Sequence, residues 1–524
     1  MTNAKDSLTL AIALDRIILL ALFIFAAFAP HSIAVTQGAW LLGGTCWIIR
    51  CFVPPRPNLF RTPIDYLMLG FFILTGLSAV LSYDPMVSIG KLRAASLFTI
   101  VYLFAENIPS RKIVRALALT LVASCMINVL FTAVTRVIGR GVKVQDIKVE
   151  SPLTAATMTN PQQTQSSFPI ITGDTILSVD GQPVRNANDV ANLLTASGNQ
   201  KFATVIIYRG DRFPPLRVPR GRLLPGSTAE EQLGVSSATI GRDWRAMGFY
   251  GHYVSYAEAL QLIASLALGL FICQPLKKSR IGLLLLLMLG GLLFALLLTV
   301  TRASWLGFLV SGTVMVLVGM SRRMVLIAAA CAIPLVIAGA FMLHQKRNVG
   351  LLDGKDASTT WRQTVWREGF ELLRAKPRHL LIGVGMDSIK RHWREWGLFD
   401  QGRIPIGHMH SNFLQLALER GVPALLLWLV LMGAYARSLI GTFRRLKMEE
   451  SATPNWLEPW MDRGIVLGAL GGLAGFLFSG LVHYNWGDSE VIMIFYFLMG
   501  LSLVLQRSSS RVTASKAARA RQNI

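Results

Sequence analysis

The chain has 524 residues, 52% of them hydrophobic and only 15% charged, with a mean hydropathy of +0.48. No soluble domain has an interior that can hide so many apolar runs of about 20 residues, so the chain reads as an all-α polytopic membrane protein. Its 52 Lys+Arg against 29 Asp+Glu give a formal charge of +23. In a membrane protein that excess points first to cytoplasmic loops facing anionic lipid, and with no soluble basic domain or aromatic–basic motif nucleic acid is not expected as a partner.

The first apolar run, Leu8 to Ala29, ends in Ala27-Phe28-Ala29, which is similar to a signal-peptidase site. Asp15 and Arg16 interrupt it, and a signal peptide's apolar core is normally uncharged, so it is expected to be a retained first span. Further spans are expected at Ile33–Cys51, Ile64–Ser82, Ser88–Ala105, Ile113–Val134, Tyr253–Cys273, Ile281–Leu298, Trp305–Met320, Met324–Leu343, Phe413–Ile440, Ile465–Leu481 and Val491–Leu505. That makes about twelve helices able to cross a hydrocarbon core of about 30 Å. With this count Arg50, Arg56, Arg61, Arg111, Lys112, Lys277, Lys278, Arg280, Arg322, Arg323, Arg444, Arg445, Lys447 and the tail from Arg507 all fall on one side, which the positive-inside rule makes cytoplasmic, with both termini inside. The loops Thr135–His252 and His344–His410 and the turn Thr299–Ser304 then lie outside, so chemistry is expected on the extracytoplasmic face. Cys46, Cys51, Cys125, Cys273 and Cys331 sit in or beside apolar runs, without metal-ligand spacing or a disulfide pattern, and read as packing.

The expected organisation is therefore membrane helices over residues 1–135, an outer insertion over 136–240, membrane helices with the Arg302 turn over 241–343, an outer catalytic loop over 344–410, membrane helices over 411–506 and a basic cytoplasmic tail over 507–524. Within the insertion, Gly173 to Val184 reads as a strand, an Asp180-Gly181 turn and a second strand; Asn188 to Ala196 fits a short helix with an Asn cap, and Ala203 to Tyr208 a further strand. Gly141-Val142-Lys143-Val144, Ser151-Pro152, Gly173 to Val184, Val205 to Gly210 and Leu233-Gly234-Val235 together resemble a bacterial PDZ domain over roughly 95 residues. The polar Thr/Gln/Asn-rich stretch between Ser151 and Gly173 departs from that pattern. The resemblance implies a peptide or protein partner bound by strand addition; a rigid spacer is the other reading.

Three polar features stand at the outer ends of the spans. Arg302 lies in Thr299-Val300-Thr301-Arg302-Ala303-Ser304-Trp305, a turn too short to be a solvated loop; a guanidinium there suits a phosphate, or else snorkels beside Trp305. Trp361 to Leu373 has an amphipathic helical pattern in which Arg362 and Trp366 share a face, and it is followed by Gly383-Val384-Gly385, read as a flexible turn. Trp361 and Trp366 are either interface anchors or platforms for sugar rings. The third feature is Gly407 to Gly421, in which His408 and His410 precede Ser411-Asn412, the expected start of a helix entering the bilayer. A histidine at a helix N-terminus is kept neutral by the helix dipole, so His410 is a candidate general base; the other reading is a polar cap at the interface.

The order Arg302, Arg362 to Trp366, Gly383-Val384-Gly385, then His410 to Gln415 and Gly421, resembles the O-antigen ligase and polymerase superfamily over about Arg245 to Val482. The resemblance implies a GT-C-like glycosyltransferase at the outer face of the bacterial inner membrane, with a glycan on undecaprenyl pyrophosphate as donor and a lipid A-core sugar hydroxyl as acceptor. It places the functional arginines and histidine at Arg302, Arg362 and His410, and a further motif at Arg245. His408, Trp361 and Trp366 are expected beside the substrate. No outer carboxylate cluster has metal-binding character, Asp353 and Asp356 reading as loop solvation, so neither metal nor other cofactor is expected. A polymerase that uses a second lipid-linked glycan as acceptor remains open, as does a non-enzymatic scaffold or transporter, although the sequence has no internal repeat.

Overall fold

The computed structural model describes residues 2–522 apart from 58, 160–164, 197–199, 211–212, 243, 320–336, 338–340, 342–356 and 452–458. The expected span Met324–Leu343, apart from residues 337 and 341, and the carboxylates Asp353 and Asp356 lie outside the described residues. Contacts divide the chain into two compact units, Leu130–Ala246 and the remainder.

The larger unit is a helical bundle. Among the described residues nine helices are long and apolar enough to cross a membrane, from Asp6–Phe28 to Ser489–Ser510, and Asp65–Val80 is a shorter apolar helix. The helix Ile33–Phe52, begun by a Ser32 cap, fills the second expected span. At the bundle centre Tyr253–Cys273, Arg302–Gly319 and Pro459–Ser479 pack closely enough that only glycine fits their crossings. A Cβ on Gly269 would lie 2.4 Å from the Gly464 carbonyl oxygen, and one on Gly307 would lie 3.0 Å from that of Gly475. Small residues at helix crossings are the usual way to bring backbones together where lipid offers no hydrophobic drive. Cys46, Cys125 and Cys273 are buried, as packing residues should be.

Two expected spans are not single helices. The one expected at Ser88–Ala105 runs as Pro85–Ala95, a 3₁₀ turn Ser96–Phe98, and Thr99–Asn107. The one expected from Phe413 is broken: a short helix, Asn412–Arg420, ends at Gly421 (φ 83°, ψ 162°), and the long apolar helix begins afresh at Val422. Gly421 is needed at the break, because its positive φ suits glycine and a Cβ there would lie 2.4 Å from the Leu381 carbonyl oxygen. The helix that follows His410 is therefore a short buried element of the loop layer, and the spanning helix starts ten residues later than Asn412.

The smaller unit is one antiparallel sheet with two short helices. Its strands are β1 (Val142–Ile147), β2 (Thr157–Thr159), β3 (Gln165–Ser167), β4 (Thr175–Val179), β5 (Gln182–Pro183), β6 (Phe202–Tyr208), β7 (Pro215–Pro219) and β8 (Val235–Ile240), in the order β3-β2-β7-β6-β4-β1-β8 with β5 on β4. The β4–β5 hairpin turns on Asp180-Gly181, both at positive φ, which matches the twist of the strands. The expected helix is Ala187–Thr195, capped by Asn186 in a box with Asp189, so the cap lies two residues before Asn188. The closing strand starts at Val235 as expected, but a short helix, Ala229–Leu233, precedes it and ends in left-handed Gly234. One face of the sheet and both helices bury Val144, Ile176, Val190, Leu194, Val205 and Leu233 in a common core. The polar stretch that departs from the PDZ pattern extends β2 and β3, paired from Thr157 to Ser167.

Candidate active site

The segment from residue 357 to residue 420 is a folded layer with its own core. The helix Ala357–Ala375 carries Val365 and Leu372 into a cluster with Val384, Ile389, Phe399, Met409, Leu414 and Leu418. Glu368 on that helix accepts hydrogen bonds from the backbone N–H of Phe399 (2.7 Å) and Asp400 (3.1 Å). These bonds hold a run, Phe399 to Gln401, whose φ values of 49–59° are left-handed without a glycine.

Gly383-Val384-Gly385 is a packed strap, contrary to the expected flexible turn. Val384 is wholly buried, its N–H donates to the Leu418 carbonyl (2.7 Å), and the Gly385 N–H donates to that of Glu419 (3.0 Å). Tyr83 N–H in turn donates to the Val384 carbonyl (3.2 Å). Both glycines have positive φ, and a Cβ on Gly385 would lie 2.1 Å from Ser82 Cβ. The strap therefore joins the helix Asn412–Arg420 to the hairpin between Asp65–Val80 and Pro85–Ala95.

His408 and His410 are set by the residue between them. Met409 is fully buried; its N–H donates to Gln415 Oε1 (2.7 Å), and its carbonyl accepts the Trp366 indole N–H (2.8 Å). Pinned from both sides, Met409 holds His410 at φ 48°. The His410 N–H points back to His408 Nδ1 at 3.1 Å, so Nδ1 of His408 acts as an acceptor and its proton sits on Nε2. The imidazoles are 4.0 Å apart, and the edge of Trp361 meets His410 at 4.5 Å. Arg362 stacks on Trp361, with its guanidinium carbon 5.2 Å from the ring centre.

Burial pushes the His408 imidazolium pKa down to about 4, and burial together with the neighbouring His408, Arg362, His483 and His252 pushes that of His410 down to about 2. The neutral state expected of His410 is present, but its cause is desolvation and adjacent positive charge more than a helix dipole. Ser411 does cap the following helix, accepting from the Leu414 N–H. Asn412 is a strut: its N–H donates to the Gly480 carbonyl (2.8 Å), its side chain donates to Asn485 (2.5 Å), and it accepts from Trp486 N–H (3.0 Å).

That strut leads to a buried carboxylate that the sequence reading passed over. Glu258, 1% exposed, accepts from Ser479 (2.8 Å) and Asn485 (3.0 Å) and bonds His483 Nδ1 (2.7 Å). Ser304, two residues after Arg302, also reaches Glu258 (3.4 Å). Half-buried Arg302 is the first residue of its helix and follows Val300 at φ 51°, so this network fixes the helix end that carries it relative to the start of Asn412–Arg420. Glu258 and His483 were discoverable as ionisable residues in or beside apolar segments.

The structure thus brings Trp361, Arg362, Trp366, His408 and His410 together and links the Arg302 turn to them through Glu258 and Asn412. Arg245 belongs to the smaller unit, where its N–H lies 3.4 Å from the Tyr208 hydroxyl. Among the described residues no three His, Cys, Asp or Glu side chains are grouped to hold a metal ion. An imidazole buried beside a guanidinium can take a proton from an incoming hydroxyl once an anion lies against the arginine. None of the curated proteins matches the chain. Residues 283–429, which contain Arg302, Arg362, His408 and His410, match the family described as O-antigen ligase, the superfamily that the order of the motifs implied.

Proposed function

We infer that the protein is an O-antigen ligase that transfers a glycan from undecaprenyl pyrophosphate to a lipid A-core sugar hydroxyl at the periplasmic face of the inner membrane. The observation that carries this reading is the contact of both His410 and Arg362 with the Trp361 ring, within the segment matched to the O-antigen ligase family. Pyrophosphate is already a good leaving group. The protein has to neutralise charge as it departs and accept the acceptor's proton. Arg302 and Arg362 serve the first task and His410 the second. In the protein alone a His410 pKa of about 2 makes a weak base. Negative charge brought to Arg362 by the donor opposes part of that depression, so His410 is a stronger base with donor bound than in the protein alone. The acceptor then loses its proton only beside a donor, which suppresses wasteful hydrolysis. Trp361, Trp366 and His408 contact substrate in this scheme, and the smaller unit recruits a periplasmic protein or peptide through a PDZ-like edge.

The test is reconstituted transfer from lipid-linked donor to acceptor lipid. Arg362→Ala and Arg302→Lys should each lower the rate by about 10²–10³-fold with normal expression, because lysine keeps the charge but loses the planar fork. EDTA should leave the rate unchanged. Wild-type rates in either variant remove that arginine from the mechanism, and chelator-sensitive transfer restored by magnesium overturns the metal-free scheme. In a deletion strain, loss of all long chains with accumulation of lipid-linked polymer means ligase. Retention of a single-repeat band means polymerase.

A further inference from the structure

A cavity of about 530 Å³ lies beside the His408 ring in the larger unit. One wall is apolar, formed by Phe71, Phe72, Leu97 and Phe98, and Lys91, Lys390 and Arg420 line it as well. Arg420, the last residue of the helix Asn412–Arg420, is 7% exposed. Its Nε and Nη1 make no hydrogen bond, Nη2 donates to the Met386 sulfur at 3.4 Å, the Tyr484 hydroxyl lies beside the guanidinium, and its carbon stands 5.8 Å over the Phe71 ring. Glu419 Oε2 stands 3.4 Å from Nη1, but that carboxylate is already engaged by Gln415 (2.8 Å) and the Tyr484 hydroxyl (3.2 Å). A guanidinium taken out of water with two N–H groups unsatisfied is costly, and a fold retains one where a ligand completes it. Lys91 and Lys390 grip Asp387 between them at 2.7 and 3.0 Å, leaving a net positive charge on that side. Asp488 and Glu490 line the cavity too, which suits sugar hydroxyls better than a second anion.

We propose that Arg420, with Lys91 and Lys390, forms an anion subsite for the lipid-proximal phosphate of an isoprenoid pyrophosphate, whose first isoprene units lie against Phe71, Phe72, Leu97 and Phe98. The proposal rests on the donor class inferred above and adds to Arg302 and Arg362 a lipid-side contact. An arginine fork in a desolvated site gives two directed donors to one phosphoryl group, and the aromatic wall beside it selects a lipid tail over free pyrophosphate.

Binding of farnesyl pyrophosphate and of inorganic pyrophosphate to the purified full-length protein tests this. Wild type should bind farnesyl pyrophosphate at least about tenfold more tightly than inorganic pyrophosphate, for the buried isoprene surface. Arg420→Met should weaken farnesyl pyrophosphate about tenfold or more. Lys91→Gln, at an exposed position where folding is not at risk, should weaken it about threefold. Equal affinity for the two ligands, or wild-type farnesyl pyrophosphate affinity in a folded Arg420→Met or in Lys91→Gln, overturns the subsite. If these variants bind normally while Arg362→Ala abolishes transfer, the subsite fails and the ligase reading stands. If no isoprenoid pyrophosphate binds and Arg362→Ala transfers normally, the donor reading itself falls.

Discussion

In the smaller unit the signals that set each element lie within a few residues. Asn186 and Asp189 cap their helix across three positions, and Asp180-Gly181 turns the β4–β5 hairpin. In the loop layer around His410 the deciding bonds are remote. Glu368 holds the Phe399 N–H across 31 positions, Trp366 holds the Met409 carbonyl across 43, and Ser78 donates to the Glu419 carbonyl across 341. The first arrangement can be read from adjacent residues. The second places two histidines, an arginine and two tryptophans in one cluster because packed helices define where the loop must pass. A general base needs that remote definition, since a shift of about 1 Å can cost about 10²-fold in rate.

The comparison is broken most sharply at the histidines. His410→Ala should lose about 10²–10⁴-fold in transfer, the range for a general base, whereas His408→Ala should lose less than about tenfold, since its Nδ1 is committed to the His410 N–H. The wild-type rate should fall as pH drops through the pKa of the base in the donor complex. Stability has its own sign: both folded pKa values, about 4 and about 2, lie below the ordinary histidine value near 6.5, so the unfolded chain binds more protons below that pH. Melting temperature should decline as pH falls from about 6.5 toward the folded values, and less steeply in His408→Gln. Equal rate losses for the two alanine variants would falsify His410 as the base.

The strap gives the next largest effect. Gly385→Ala forces a Cβ to 2.1 Å from Ser82 Cβ at φ 96°. A loss of about 2–4 kcal/mol is expected, with transfer falling as the loop layer separates from the hairpin. Thermal melting of the detergent-solubilised protein measures it, and an unchanged midpoint would mean that the strap yields after all.

Local signals should yield local effects. Asn186→Ala removes a cap and should cost about 1 kcal/mol, read as faster amide exchange across Ala187–Thr195 with transfer intact. Exchange that quickens throughout the unit instead would show that its stability is shared.

The smallest effect is expected from removing the insertion. Its ends are already joined, Arg140 N–H to the Gly241 carbonyl (2.8 Å) and Gly241 N–H to that of Gly141 (3.1 Å). A short Gly/Ser linker in place of residues 141–240 should therefore preserve the bundle and transfer in vitro, any defect showing in cells. A folded but inert deletion would place the unit in the active site.

The apolar runs, the Asp180-Gly181 hairpin and the Ser411 cap were legible from the sequence because each depends on composition or on neighbours a few residues away. The ordered motifs of Arg302, Arg362 and His410 were legible as a family resemblance. Other features could not be read that way. Gly421 interrupts what periodicity makes one helix, because the Leu381 carbonyl occupies the space a side chain would need. Gly383-Val384-Gly385 has the composition of a flexible turn, yet Leu418, Glu419 and Ser82 close on it from elements far away in the chain. Arg420 reads as a charge ending a helix, and Glu258 as an isolated acid near the start of a span. Their burial, and the partners that Glu258 finds in Ser479, His483 and Asn485, come from the packing of separate helices. Local patterning fixes which elements form, while the desolvation and charge that govern the site arise only where those elements meet.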